Sequence, residues 1–153
     1  MSSDTWVVLP GSQVRLTSAR IGLMSMDATA PISHGSITCQ DETVTLDLEI
    51  SLDQLKSNLL LQSAARALVK QHSATRLTFH ATGPLDTHPW QVTGTAVAGD
   101  VEIPLTLSLT RTGDTAHATG SANLGTVDLP LPGVGRLEDF SFSVDAQVAL
   151  ARP

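Results

Sequence analysis

The side chains best suited to acid-base work or metal binding in this chain are five histidines, His34, His72, His80, His88 and His117. They stand singly, and no two have the short spacing of a metal-ligand pair. Surface or loop positions account for them. His80 lies between Phe79 and Ala81, so a strand that turns those two inward turns His80 outward. The adjacent carboxylates Asp41 with Glu42 and Glu138 with Asp139 fall in turn-like stretches, where such pairs solvate a loop more often than they move protons. Cys39 is the only cysteine. It has no internal disulfide partner and no base beside it in sequence, so it reads as a small buried hydrophobe. The chain has neither a G-x-S-x-G nucleophile elbow nor a G-x-x-x-x-G-K-S/T phosphate loop. Gly133 and Gly135 sit in a proline-rich stretch without the third glycine of a dinucleotide fingerprint. The sequence therefore predicts no catalytic residue, no metal and no cofactor.

Charge narrows the partners. Nine basic against fifteen acidic residues give a net charge of −6, the wrong sign for nucleic acid or an anionic membrane surface. Residues 59–69, the most apolar long stretch, are interrupted by Gln62, Ser63 and Arg66. They fall far short of the ~20 residues a membrane helix requires, so no stable membrane insertion is expected. The first residues carry neither a basic start nor an apolar signal core, which predicts a cytoplasmic location.

The elements that must position any site are strands. Val44, Leu46, Leu48 and Ile50 alternate strictly with Thr45, Asp47 and Glu49, the period of a strand with one buried and one wet face. The same period carries Val101, Ile103, Leu105, Leu107 and Leu109, and again Phe140, Phe142, Val144, Ala146, Val148 and Leu150. Weaker alternation at 6–9, 14–18, 36–39, 76–83, 90–98 and 115–124 brings the total to about eight or nine strands. Pro104 predicts an edge, a bulge or a strand start at its position. Residues 52–73 break the period with good helix formers, and Ser63 is placed to cap a short helix over 64–71. With 153 residues and 41% hydrophobic content the chain makes one domain, residues 1–153, either a sandwich or a closed barrel.

The order of features resembles the YceI-like family, lipocalin-like barrels associated with long isoprenoid lipids. Trp6-Val7-Val8-Leu9-Pro10-Gly11-Ser12 resembles the family's opening aromatic before a Ser-containing strand. Ile50-Ser51-Leu52-Asp53, the helical stretch and Leu77-Thr78-Phe79 follow in the family's order. So do Val92-Thr93-Gly94-Thr95 and Ile103-Pro104-Leu105-Thr106-Leu107. The family's usual early His is here Gly11, and its Asp-His pair in the helical stretch appears as residues 62–65. The resemblance implies an all-β fold: a single antiparallel eight-stranded lipocalin-like barrel with a short helical insertion around residues 53–72.

The inner face of such a barrel takes Val44, Leu46, Leu48, Ile50, Leu68, Leu77, Phe79, Val101, Ile103, Leu105, Leu107, Phe140, Phe142, Val144 and Val148. An eight-stranded barrel is either filled by its own side chains or just wide enough for one small ligand. Both readings are open from the residues alone, although large aromatic fillers are scarce at 3%. The resemblance implies non-enzymatic binding, transport or storage of an isoprenoid-type lipid, a quinone or polyprenyl phosphate. Arg66, Lys70 and Arg76, around the helical stretch, are then candidates to meet a polar head at the mouth. The alternative is a filled barrel that acts as an interaction module, forming a homodimer or docking on a partner protein through an edge strand or the loop 129–134. A third reading, an enzyme on an apolar substrate, would need His80, His117 or a carboxylate inside.

Overall fold

The computed structural model describes residues 4–18, 27–54, 56–57, 75–86, 88–99, 101–129 and 135–152. Ten strands run through them: β1 (Asp4–Val8), β2 (Gln13–Ser18), β3 (Asp27–Gln40), β4 (Thr43–Ser51), β5 (Lys56–Ser57), β6 (Arg76–Pro84), β7 (Trp90–Ala98), β8 (Val101–Thr112), β9 (Thr115–Leu129) and β10 (Gly135–Ala151). The sheet order is β1-β10-β2-β3-β4-β6-β7-β8-β9, and β9 pairs back onto β10, closing the sheet into an antiparallel barrel. Both β1 and β2 lie between β3 and β10. They are two lengths of one broken strand, so the ring has eight positions. The break at Pro10-Gly11 is bridged by Leu9 N–H to the Ala149 carbonyl and by Ile32 N–H to the Ser12 carbonyl.

Alternation accounts for β4, β8 and β10 directly. In β3 it fails for a local reason: Ile32 pairs with Ile50 and His34 with Glu49, leaving Ser33 as an extra residue. Ala28, Ala30 and Ile32 are buried before this bulge, and Ile37 and Cys39 after it. The parity switches from even to odd, so only the 36–39 half reads as a strand in sequence.

At the position of the expected helical insertion, Leu52–Gln54 forms one 3-10 turn and β5 continues in line with β4 along β3, opposite Ala28 and Thr29. The expected helix over 64–71 lies outside the described residues.

Pro104 sits inside β8, opposite Thr95 of β7. The two-residue turn between Ala98 and Val101 makes that pair hydrogen-bonded, and alternation makes the Thr95–Pro104 pair non-hydrogen-bonded. The ring nitrogen of Pro104 therefore points away from β7, toward the β9 side. There the β8–β9 ladder stops, its last pair being Thr106 with Ser121. Counted from the hairpin closure at Thr112–Thr115, the next hydrogen-bonded pair would join residue 104 to Asn123, and proline has no N–H to give. The edge expected at Pro104 is a local one, on a single side of β8.

The β3–β4 hairpin closes at Gln40–Thr43 through Asp41 (φ 52°) and Glu42 (φ 63°). This is the left-handed region that a two-residue hairpin turn demands and that Asn-Gly fills without strain. Replacing the pair by Asn-Gly is expected to stabilise the protein by roughly 1 kcal/mol, read as an upward shift of the urea midpoint at unchanged m-value.

Candidate ligand-binding interior

The short turns at 41–42 and 113–114 and the 85–89 connection all lie at one end of the barrel, the closed end. The strands that flank residues 19–26, 58–74 and 130–134 end at the other, the far end.

Trp6 and Trp90 fill the closed end, both buried. The guanidinium groups of Arg111 and Arg152 lie 4.4 and 4.9 Å from the Trp6 ring centroid, within cation–π reach. Arg152 also pairs with Asp4 at 3.0 Å, and Arg111 Nη1 donates to the Gly113 carbonyl. His88 meets Trp90 edge to face at 5.3 Å. Cys39 is buried in the same region, and desolvation pushes its thiol pKa up, opposed by the nearby Arg111 charge.

Above this plug the inward face is aliphatic. Val44, Leu46, Ile50, Phe79, Ile103, Leu107 and Val144 are buried. Leu48, Leu77, Leu105, Phe142 and Val148 pack against them while keeping partial access to solvent. The side chains of Val101 and Phe140 lie outside the description, as do Leu68, Arg66 and Lys70. The structure thus brings twelve of the fifteen predicted lining residues onto one inner surface.

Sequence reasoning missed the small residues of that surface. On β9 the inward positions are Ala116, Ala118, Gly120 and Ala122, four strands round the ring from Val44, Leu46, Leu48 and Ile50 of β4. Ala28, Ala30, Ala96 and Ala98 add to them. Alanine among threonines gives little contrast in hydropathy, so the period of two on β9 is faint. Among the described residues, Ser12 is the buried polar side chain, and its hydroxyl donates to the Leu9 carbonyl at 3.0 Å.

Beyond Arg111 and Cys39 in the plug, the ionisable pairs of the wall face the other way. His80 contacts Asp47, and His117 Nε2 lies 3.0 Å from Asp145 Oδ2, both pairs exposed on the outer wall. Exposed pairs of this kind contribute little to stability. Arg76, at the start of β6, pairs through Nε with Glu49 Oε1 at 2.8 Å on the outer wall beside the end opposite the plug. Among the described residues there is no group of three or more metal-ligating side chains, and no helix is long and apolar enough to cross a membrane.

Two open depressions lie along the wall. One, of about 580 Å³, is lined by Thr17, Ser121, Ala122, Asn123, Ser141, Phe142 and Ser143, where β9, β10 and β2 meet. The other, of about 560 Å³, lies over the break between β1 and β2.

No protein-family model matches the chain, and no curated protein matches it. Among solved structures, BcnA of Burkholderia cenocepacia superposes with a TM-score of 0.53 at 13% identity, over 90% of this chain and 96% of that one. A polyisoprenoid binding domain from Saccharophagus degradans implicated in plant cell wall breakdown aligns at 0.48 and 10% identity, over 99% and 100%. The barrel has a YceI-like fold.

Proposed function

We propose that this barrel is a non-enzymatic binder of a long apolar isoprenoid-type lipid, a quinone or a polyprenyl phosphate, held with its chain inside and its head toward the end opposite the tryptophan plug. The observation that carries the reading is a set of side chains that point inward yet remain partly open to solvent: Leu16, Leu48, Leu77, Leu105 and Phe142. A filled core would cover such residues, whereas the wall of a binding site leaves them uncovered until the ligand arrives. Burial of each CH₂ of an apolar chain favours binding by about 0.8 kcal/mol, so a long chain needs few polar anchors. His80 and His117, which the enzymatic reading needs inside, lie on the outer wall. The isoprenoid class comes from the sequence resemblance to the YceI-like family.

The alternative, a filled barrel used as an interaction module, calls for a contiguous exposed apolar patch. Among the described residues the exposed large hydrophobics are Leu9 and Val97, which lie on opposite sides of the ring. Native mass spectrometry of protein purified from its own host, followed by organic extraction, tests the reading. A stoichiometric isoprenoid is the expected result. A clean apo mass with no uptake of added quinone or polyprenyl phosphate overturns it in favour of the filled barrel.

A further inference from the structure

Among the described residues the ladder around the barrel is not continuous. From Thr106 to Thr112 β8 is laddered to β9, but among the described residues its first ones, 101–105, have no paired strand on that side. Beyond Ser121, β9 pairs with β10 and not with β8, from Ala122–Phe142 out to Leu129–Gly135. The two strands part at Pro104, the residue whose missing N–H ends the ladder. Among the described residues a seam in the ladder therefore runs between the start of β8 and the outer half of β9, toward the end of the barrel opposite the tryptophan plug. Leu105 and Ala122 face inward just where the strands part, and Phe142 lies beside Ala122 on β10. Leu105 and Phe142 are two of the inner side chains still open to solvent.

We propose that this seam is the route by which the apolar chain enters and leaves the barrel, sideways between β8 and β9 rather than only along the axis. The proposal rests on the binding reading above. A seam suits a long flexible chain in a way an axial mouth does not: the molecule is laid in along its length instead of being threaded end first. The sides of the seam suit the passage as well, apolar inward and hydroxyl-bearing outward, where Thr106 and Ser121 stand. Pro104 keeps it open by a covalent fact. Any residue with an N–H at that position supplies the donor needed to extend the ladder to Asn123.

The test is to close the seam reversibly. In an extended ladder residues 104 and 123 form a hydrogen-bonded pair with Cα atoms about 5.5 Å apart, inside the range a disulfide spans. The double variant Pro104→Cys/Asn123→Cys is therefore oxidised to lock the strands and reduced to release them. Cys39 is buried with its thiol pKa raised, which keeps it from competing. The probe is cis-parinaric acid, a long conjugated polyene whose fluorescence rises on entering apolar surroundings, followed by stopped flow.

A route, unlike a contact, governs association and dissociation together. Oxidation is expected to slow both by about tenfold and leave Kd within about twofold, and reduction is expected to restore them. Unchanged rates in the oxidised protein overturn the seam while the binding reading stands. A loss of affinity at unchanged association rate also overturns it, since the residues would then belong to the site itself. Failure of the unmodified protein to take up the probe overturns the binding reading, and the seam with it. If the disulfide does not form, Pro104→Thr, which restores the N–H, is read in the same way: slower exchange supports the route and unchanged exchange overturns it.

Discussion

Gly94→Ala is expected to cost about 3 kcal/mol, at the upper end of what an overpacked interior loses. Gly94 lies on β7 between Ala81 of β6 and Leu105 of β8. A Cβ built on it runs into the carbonyl oxygen of His80 and comes within 2.8 Å of the Ala81 Cα. Both obstacles are backbone, held in the β6–β7 ladder on one side and the β4–β6 ladder on the other. A flexible side chain could swing aside, but these atoms move only if hydrogen bonds break. For a chain of this length the loss corresponds to a fall in Tm of roughly 6–12 °C. A calorimetric scan of the variant that leaves Tm unchanged would show that the close approach of β6 and β7 is wrong.

Phe79→Ala is expected to cost more, about 3–5 kcal/mol, because it deletes a large side chain from a packed interior. Phe79 is 2% exposed and sits between Leu48 on β4 and Ala96 on β7. Its neighbours are small on one side, so the wall has little with which to refill the space. Equilibrium urea unfolding measures the loss. The same variant separates the two readings of the interior: in a ligand-binding barrel, part of the lost stability returns when a long apolar ligand is added, because ligand bound only by the folded state shifts the midpoint upward. In a filled module the added ligand has no such effect.

How far the molecule was legible in sequence depended on contrast and on parity. β4 and β10 announced themselves because aliphatic or aromatic residues alternate with Asp, Glu, Ser or Gln, and the structure places Val44, Leu46, Ile50 and Val144 in the core. β9 did not, because Ala116, Ala118 and Ala122 alternate with Thr119 and Ser121. β3 was half legible: one bulged residue, Ser33, moves the inner face from even to odd positions, and no fixed period crosses it. Pro104 was legible as an anomaly, but its meaning needed the register on both sides of β8. The site divided along the same line. The aliphatic wall follows from periodicity, whereas Arg76 rests on position along the chain alone, and the structure pairs it with Glu49 on the outer wall.

The way the ring closes bears on how the chain assembles. Apart from the closure, each strong ladder joins strands near one another along the chain, β1 and β2 with β3, β3 with β4, β4 with β6 across β5, and so on to β9 with β10. Those hairpins bring together residues of modest separation and form early. The remaining ladder sets β10 against β1 and β2, joining Val8 to Leu150 and Val14 to Ala146 across almost the full chain. Its loop-closure entropy is the largest in the molecule. Until it forms, the meander has two unpaired edges and an uncovered apolar face. The last step of folding is thus also the step that hides the protein from its own kind, and conditions that slow closure favour aggregation over the native barrel.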